Sequence, residues 1–528
     1  LFDQPATQQV NPAYSLFNDT AAYYLVWNHP TATGLFWQDQ PNDLTNAPPK
    51  TPWCWSTVQE VFSSTHVQRE VLHYVNYSLF WGNGFAGEAT THTQLSILAP
   101  DAVTAGPDAL LQMRYTTPAF GPHQTSVWVM DSLYRAHDWT GWRVQEDSCF
   151  LAAARLSSSV PFRIQSLAGG SDDHHLAFAV LRYARGFQFD MKKGMALFEI
   201  EASGQPRYLE INPQNMQGNT AVLYDLSTRT RLEATLANGL LRFVLPAAGT
   251  LRRCVLVSTA NGFQAPPVAP VATRFEDYAA AQADYLIVSS RALRRNAANN
   301  GNDEVAAYAD YRSSDAGGRY RVLTVNMENI TEQFGYGTDF QPVALRNFLQ
   351  YYKKRVPALQ QVLIIGKGLD YNFFRTADEQ HRYADSLFFV PSFGTPASDW
   401  PFAMRSNRID EPLFAIGRIP AVHPEEIRYY LEKVRTHDAQ RKEAGQTAAA
   451  RSWMRRVLHN SGGATGSSEN QIIRNYTTGM AQILTNSKFG ADVISFYKTS
   501  NDPIQVAAFD KMLEEVNKGV ALWTIFGH

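Results

Sequence analysis

Cysteine is scarce in this chain of 528 residues: Cys54, Cys149 and Cys254 are its 3 cysteines, and none follows Cys254. So few thiols over so long a span exclude a disulfide framework and any zinc-ligand spacing. Buried single thiols, or one disulfide with a thiol left over, are the readings that stay open. Long apolar runs are missing as well. None approaches the roughly 20 residues that a membrane-spanning helix needs. The opening LFDQPATQQV has neither the basic head nor the apolar core of a secretory signal, so a mature or trimmed form is expected. The third absence is charge of one sign. Lys plus Arg number 47 against 49 Asp plus Glu, a net charge of −2. That leaves no long-range field for nucleic acid or an anionic membrane, so neither is expected as a partner.

What the chain does have is apolar and aromatic: 45% hydrophobic and 12% aromatic residues with 18% charged. Such a composition is globular, and the length suggests about three or four domains. From residue 1 to 262 the runs read as β. AAYYLVWN (21–28), HYVNYSLFW (73–81), HLAFAVLRY (175–183), GFQFD (186–190) and MALFEIEA (195–202) are short and separated by Gly, Asn, Asp and Pro. In HLAFAVLRY, alternation places Leu176, Phe178 and Val180 on one face, which suits a sheet packed on one side. Two β-rich regions, 1–150 and 151–262, are expected to form antiparallel sandwich or barrel units. The run Ser171-Asp172-Asp173-His174-His175 has metal-capable side chains but, at a turn, reads as solvated. Pro266, Pro267 and Pro270 mark a linker over 263–283.

From 284 to 528 strand and helix patterns alternate. YLIVSS (285–290), RVLTVN (321–326), QQVLIIG (360–366), EPLFAIG (411–417), RRVLHN (455–460), DVISFY (492–497) and GVALWTIF (519–526) read as strands. VALRNFLQYYKK (343–354), PEEIRYYLEKVR (424–435), ENQIIRNYTTGMAQIL (469–484) and IQVAAFDKMLEEVNK (504–518) read as helices between them. Pro424 with two glutamates behind it suits a helix start. This order predicts a mainly parallel sheet, whose chemistry gathers at the carboxyl ends of the strands. Four such ends bear polar or glycine-rich turns: Gly366 to Asp370, Gly417-Arg418, His459-Asn460 running into Ser461-Gly462-Gly463, and Gly527-His528. A lone histidine at a strand end is ordinarily structural. The GGATGSS loop (462–468) sits where a helix start could hold a phosphate, but it lacks the lysine of a P-loop.

In order and spacing these turns resemble the gingipain family of bacterial cysteine peptidases over about residues 284–528. The matching segments are Leu363-Ile364-Ile365-Gly366, Ser398-Asp399-Trp400-Pro401-Phe402, Ala415-Ile416-Gly417-Arg418, Ser461-Gly462-Gly463 and Gly527-His528. In the first half, SLFNDTAAYYLVWN (15–28), RYARGFQFD (182–190) and VLYDLS (222–227) are similar to the β-rich region of PorU-type sortases of type IX secretion systems. The resemblance implies a multidomain protein, β-rich in its N-terminal half, with a caspase-like α/β domain behind it. It implies a secreted or cell-surface endopeptidase or sortase acting on protein or peptide substrates, with an outer-membrane partner in a secretion system. His528 would be the catalytic acid/base of a Cys/His dyad. Gly527, Asp370, Asp399, Trp400, His459, Ser461, Gly462, Gly463 and Glu469 would border the cleft. No cofactor is required, though calcium is admitted at Asp370 and Asp399.

Two departures stand out. No cysteine follows His528, so the nucleophile is expected outside this sequence and the chain as given is expected to be inactive. Ser461 stands where gingipains place a glutamate, and Glu469, the acidic candidate for a basic side chain, equally suits a helix start. Trypsin-like preference is therefore not expected. The alternatives are a non-catalytic surface or scaffold protein that keeps the fold, and a nucleotide-binding module built on 461–468.

Overall fold

The structure, a computed structural model, describes residues 9–17, 22–24, 37–67, 84–117, 121–168, 172–263, 270–369, 384–393, 397–405, 408–498, 500 and 506–527. The expected strand 73–81 and most of 21–28 lie outside them. Contacts divide the chain into two compact units, Leu1–Ser313 with Arg319–Arg428, and Ser314–Gly318 with Tyr429–His528.

The first unit opens with two antiparallel sandwiches that share a nine-stranded sheet. The strand Cys54–Val61 lies where its two parts join. On one side lie His175–Arg185, Ala109–Thr117 and Arg143–Leu151. A four-stranded sheet of His92–Leu98, Ser159–Ser166, Pro122–Val129 and Ser132–Thr140 packs on them. Ile97, Leu111, Tyr115, Val127, Phe162 and Leu181 fill the first core. On the other side lie Met195–Ile200, Arg252–Ser258 and Ala221–Asp225. They are covered by a sheet containing Arg207–Gln214 and Leu240–Leu245, with Phe198, Leu209, Leu223, Phe243 and Leu256 in the second core. Residue 150, where the sequence suggested a join, lies on the strand Arg143–Leu151 of the first sandwich. The two sandwiches meet at the pair Trp55↔Glu199. There Arg182 stacks on Trp55 at 4.0 Å and bridges to Glu199 at 3.1 Å.

Alternation explains these strands, with one correction. The register of His175–Arg185 against Ala109–Thr117 shifts between Leu176 and Phe178. An irregularity of this kind reverses which side chains face inward. Leu176 therefore enters the core with Ala179, Leu181 and Tyr183, while Phe178 and Val180 turn to the other face and are only half-buried.

The rest of the first unit is α/β. Four parallel strands run in the order Val322–Asn326, Tyr285–Ser289, Gln361–Ile365, Ala415–Ile419. The helix Pro342–Arg355 packs on them through Leu345, Phe348, Leu349 and Tyr352. The expected strand 411–417 is displaced. Glu411 and Pro412 belong to a hairpin, Arg408–Pro412 with Met404–Arg405. The sheet strand starts at Ala415, opposite Gln361. Helices Glu304–Ser313 and Met327–Phe334 were not legible in the sequence.

The second unit holds three parallel strands with Arg456–Ser461 in the middle, Asp492–Tyr497 on one side and Leu522–Phe526 on the other. Helix Ser468–Asn486 connects the first two. Helix Pro424–Glu443 begins as its sequence suggests. The Glu426 carboxylate accepts from the N–H groups of Val422 and His423 at 2.6 and 3.0 Å, which holds it below the ordinary carboxylate range. Among the described residues no helix is long and apolar enough to cross a membrane.

Candidate functional site

In the second unit the chain passes from strand to loop at two neighbouring carboxyl ends. Ser461 stands opposite Phe526 in the register, and the N–H of Gly462 donates to the Phe526 carbonyl at 2.8 Å. Beyond them the two glycine turns touch. Gly527 adopts φ +137°, and a Cβ there would lie 2.6 Å from the Cα of Gly462. Glycine is thus required at 527 both by conformation and by the closeness of the other backbone. His528 follows directly in sequence but lies outside the described residues.

The Gly-Gly loop is latched from below. Ser467 caps the helix Ser468–Asn486 by accepting from the N–H of Asn470 at 3.0 Å. The side chain of Asn470 donates to the carbonyls of Gly462 and Gly463 at 3.0 and 3.4 Å. Gly463 adopts φ +86°, with its Cβ position 3.0 Å from the Cα of Asn470. Sequence reading singled out Glu469, which sits in the first helical turn. The residue that shapes the loop is its neighbour Asn470. The signal was available: a buried amide one turn into a capped helix needs partners, and the loop carbonyls are within its reach.

Ser461 and His459 point away from any opening. Ser461 is buried and shares a hydrogen bond with the Thr477 hydroxyl at 2.8 Å, and Thr477 donates onward to the Ile473 carbonyl at 3.0 Å. His459 is 1% exposed on the middle strand, between Ser495 and Thr524 in the register, and its Nδ1 has no hydrogen-bond partner among the described residues.

Asp399 and Trp400 belong to the first unit, where they form part of a different construction. Arg418 uses all five of its guanidinium hydrogens. Its Nε and Nη2 grip the two Asp399 oxygens at 2.8 and 2.6 Å. The remaining hydrogens go to the carbonyls of Gly366, Val390 and Pro391 at 2.7, 2.8 and 2.9 Å. Asp399 is therefore a fork partner that ties three loop segments to the strand end. Trp400 is partly exposed at the start of the short turn Trp400–Ala403. Asp370 lies outside the described residues. Among those described, no group of three or more His, Cys, Asp or Glu gathers as a metal site.

The three thiols belong to sandwich cores. Cys54 and Cys254 lie in the second core and Cys149 in the first. All three are free and buried. Burial pushes the Cys54 thiol up to about 12 and raises Cys149 and Cys254 as well. A buried thiol with a raised pKa is inert as a nucleophile.

Two antiparallel sandwiches followed by parallel strands with connecting helices make this a multidomain protein, β-rich in its N-terminal half and α/β behind it. Residues 278–528 match the model of peptidase family C25, the gingipain family, and over this span the chain is similar to that family. No curated protein matches the chain in sequence. Among solved structures it is similar to dimeric latent PorU from Porphyromonas gingivalis, at 15% identity over 83% of this chain and 44% of that one, with a TM-score of 0.48. The chain thus spans less than half of the PorU chain it matches. A family 35 carbohydrate-binding module from Clostridium thermocellum is similar at 11% identity over 24% of this chain and 97% of the module, with a TM-score of 0.16. At these values neither likeness assigns a role to any residue.

Proposed function

We propose that the α/β half is the body of a secreted or cell-surface cysteine endopeptidase or sortase, with His528 as the acid/base of its dyad. The observation that carries this reading is the meeting of two glycine turns, Gly462-Gly463 and Gly527, at neighbouring parallel strand ends within the span that matches peptidase family C25. In parallel sheets the carboxyl ends of the strands are where side chains meet a substrate, and His528 follows Gly527 directly in sequence. In the reaction a thiolate adds to the scissile carbonyl, the C–N bond breaks, and the imidazolium returns its proton to the leaving amine. Water or an incoming amine then releases the acyl group, giving hydrolysis or transpeptidation. Protein or peptide is the substrate, an outer-membrane secretion partner is part of the proposal, and no cofactor takes part. Gly462 is excluded as an oxyanion donor because Phe526 already occupies its N–H. Cys54, Cys149 and Cys254 are excluded as nucleophile by burial. The thiol is therefore assigned outside these 528 residues, and the chain by itself is not expected to cleave peptides.

The test is labelling with a peptide chloromethyl ketone of a chain carried past residue 528. An adduct on a cysteine beyond His528, lost in His528→Ala, supports the dyad. Equal labelling in that variant, or a folded chain that never labels, overturns it and leaves the non-catalytic scaffold.

A further inference from the structure

The seam between the two sandwiches is paired at one point and then opens. Cys54–Val61 is bonded to His175–Arg185 along its length, from Val61↔Phe178 to Cys54↔Arg185. It meets Met195–Ile200 only at Trp55↔Glu199. Two hydrogen bonds fix the phase of the backbone groups. Phe62 N–H donates to Ala177 O at 3.0 Å, so the even-numbered residues of the first strand spend their amides on His175–Arg185. In an antiparallel ladder bonding alternates, so Thr57, Gln59 and Val61 turn theirs to the opposite side. Likewise Ser258 N–H donates to Gly194 O at 2.8 Å, which commits Ala196 and Phe198 to Arg252–Ser258 and turns Met195 and Leu197 toward the seam. Continuing the register would pair Thr57 with Leu197 and Gln59 with Met195, and neither pair forms.

A cavity of about 580 Å³ opens there, bordered by Thr57 and Val58 on one edge and by Met195, Ala196 and Leu197 on the other. Below them Arg185 bridges to Asp101 at 3.1 Å, donates to Gln188 O and lies over the Phe189 ring at 4.8 Å. Its Nε is buried and has no hydrogen-bond partner among the described residues. Above, Leu197 stands 64% exposed.

We infer that this opening is a docking groove for an extended polypeptide segment, which completes the sheet by pairing its backbone with the free edges of Thr57–Gln59 and Met195–Leu197. Two facing rows of backbone donors and acceptors are complementary to another backbone. A sugar would meet the side chains below but leave both rows unpaired. Alternation fixes the occupant's side chains. Those pointing out are apolar, against Leu197 and Met195. Those pointing in carry a hydrogen-bond acceptor, an amide or carboxylate, for the guanidinium of Arg185, which lines the cavity.

The experiment pans a display library of random peptides, each about ten residues long so as to exceed one strand, against the full chain. Counter-selection uses Gln59→Pro, which removes one donor facing the groove. Leu197→Pro does the same from the other edge, so that one variant lost to misfolding leaves a second, with circular dichroism verifying both. Expected are peptides that alternate apolar and acceptor-bearing residues, bind at least tenfold more weakly to either variant, and slow amide exchange at Thr57, Gln59, Met195 and Leu197. The inference is overturned if no peptide prefers the parent chain, if those amides are already protected in the free chain, or if oligosaccharides bind there without protecting them.

Discussion

Arg418 shows how much a single side chain can organise in this fold. Five donors meet five oxygens from Asp399, Gly366, Val390 and Pro391. The group is nearly enclosed, with 12% of its side chain exposed. Glycine at 368 belongs to the same arrangement, since a Cβ there would lie 2.6 Å from Val390 O and 3.1 Å from Arg418 Nη1. Lysine keeps the charge but offers no planar fork. Arg418→Lys is expected to cost about 3 kcal/mol, because it strands a half-buried carboxylate and three carbonyls. Urea unfolding of the first unit measures this, and a loss below about 1 kcal/mol would contradict the clamp. In the sequence, Gly417-Arg418 was legible as a strand end. That its guanidinium would collect Asp399 and three carbonyls was not, because those partners come from segments 19 to 52 residues away.

The Gly-Gly loop is governed by the helix behind it. Asn470 holds both loop carbonyls, and Ser461 is tied to Thr477 on the same helix. Removing the amide in Asn470→Ala is expected to cost about 1–2 kcal/mol. Amide exchange at Gly462 and Gly463 should quicken about tenfold, while Ser461, held by the Thr477 hydroxyl and the ladder, should change little. Uniform acceleration through the strand would show that the loop has no separate latch. Element existence was legible here. Helix Ser468–Asn486 and strand Asp492–Tyr497 fall where the periodicity placed them. The direction of single side chains was less so. Ser461 was expected at the cleft and is buried, because alternation along Arg456–Ser461 sends it to the helix side with His459. Leu176 and Phe178 part company for a different reason, a register shift that leaves no mark on hydrophobic pattern.

At the scale of the whole first unit, a histidine buried inside the first sandwich contributes to its response to acid. The run 171–175 was read as solvated, yet Asp172 is buried against His123 at 2.6 Å and His174 is buried between the hydroxyls of Thr93 and Ser166, each at 2.9 Å. Burial lowers the His174 pKa from 6.5 to about 4. The unfolded chain therefore takes up this proton first, so the contribution is complete above pH 6.5 and is lost as pH falls toward 4. The loss amounts to roughly 2–4 kcal/mol. Thermal unfolding should show a falling midpoint across this window, flattened in His174→Gln. An unchanged slope would assign the acid sensitivity elsewhere. Nothing local in the sequence announced this interior, because its partners come from strands far apart in the chain. The same distance hid the shared sheet, which depends on residue 55 meeting residue 199.

That meeting point has a mechanical meaning. A ladder spreads an applied load over many bonds acting together, as between Cys54–Val61 and His175–Arg185. Between the sandwiches the load falls on one backbone pair and a few side-chain ties: the Arg182 clasp, Trp55 Nε1 to Glu201, and Gln188 to Asp101. Under tension the seam would yield first, and each sandwich would come away whole: a joint that extends the molecule by a short step before either fold begins to unravel.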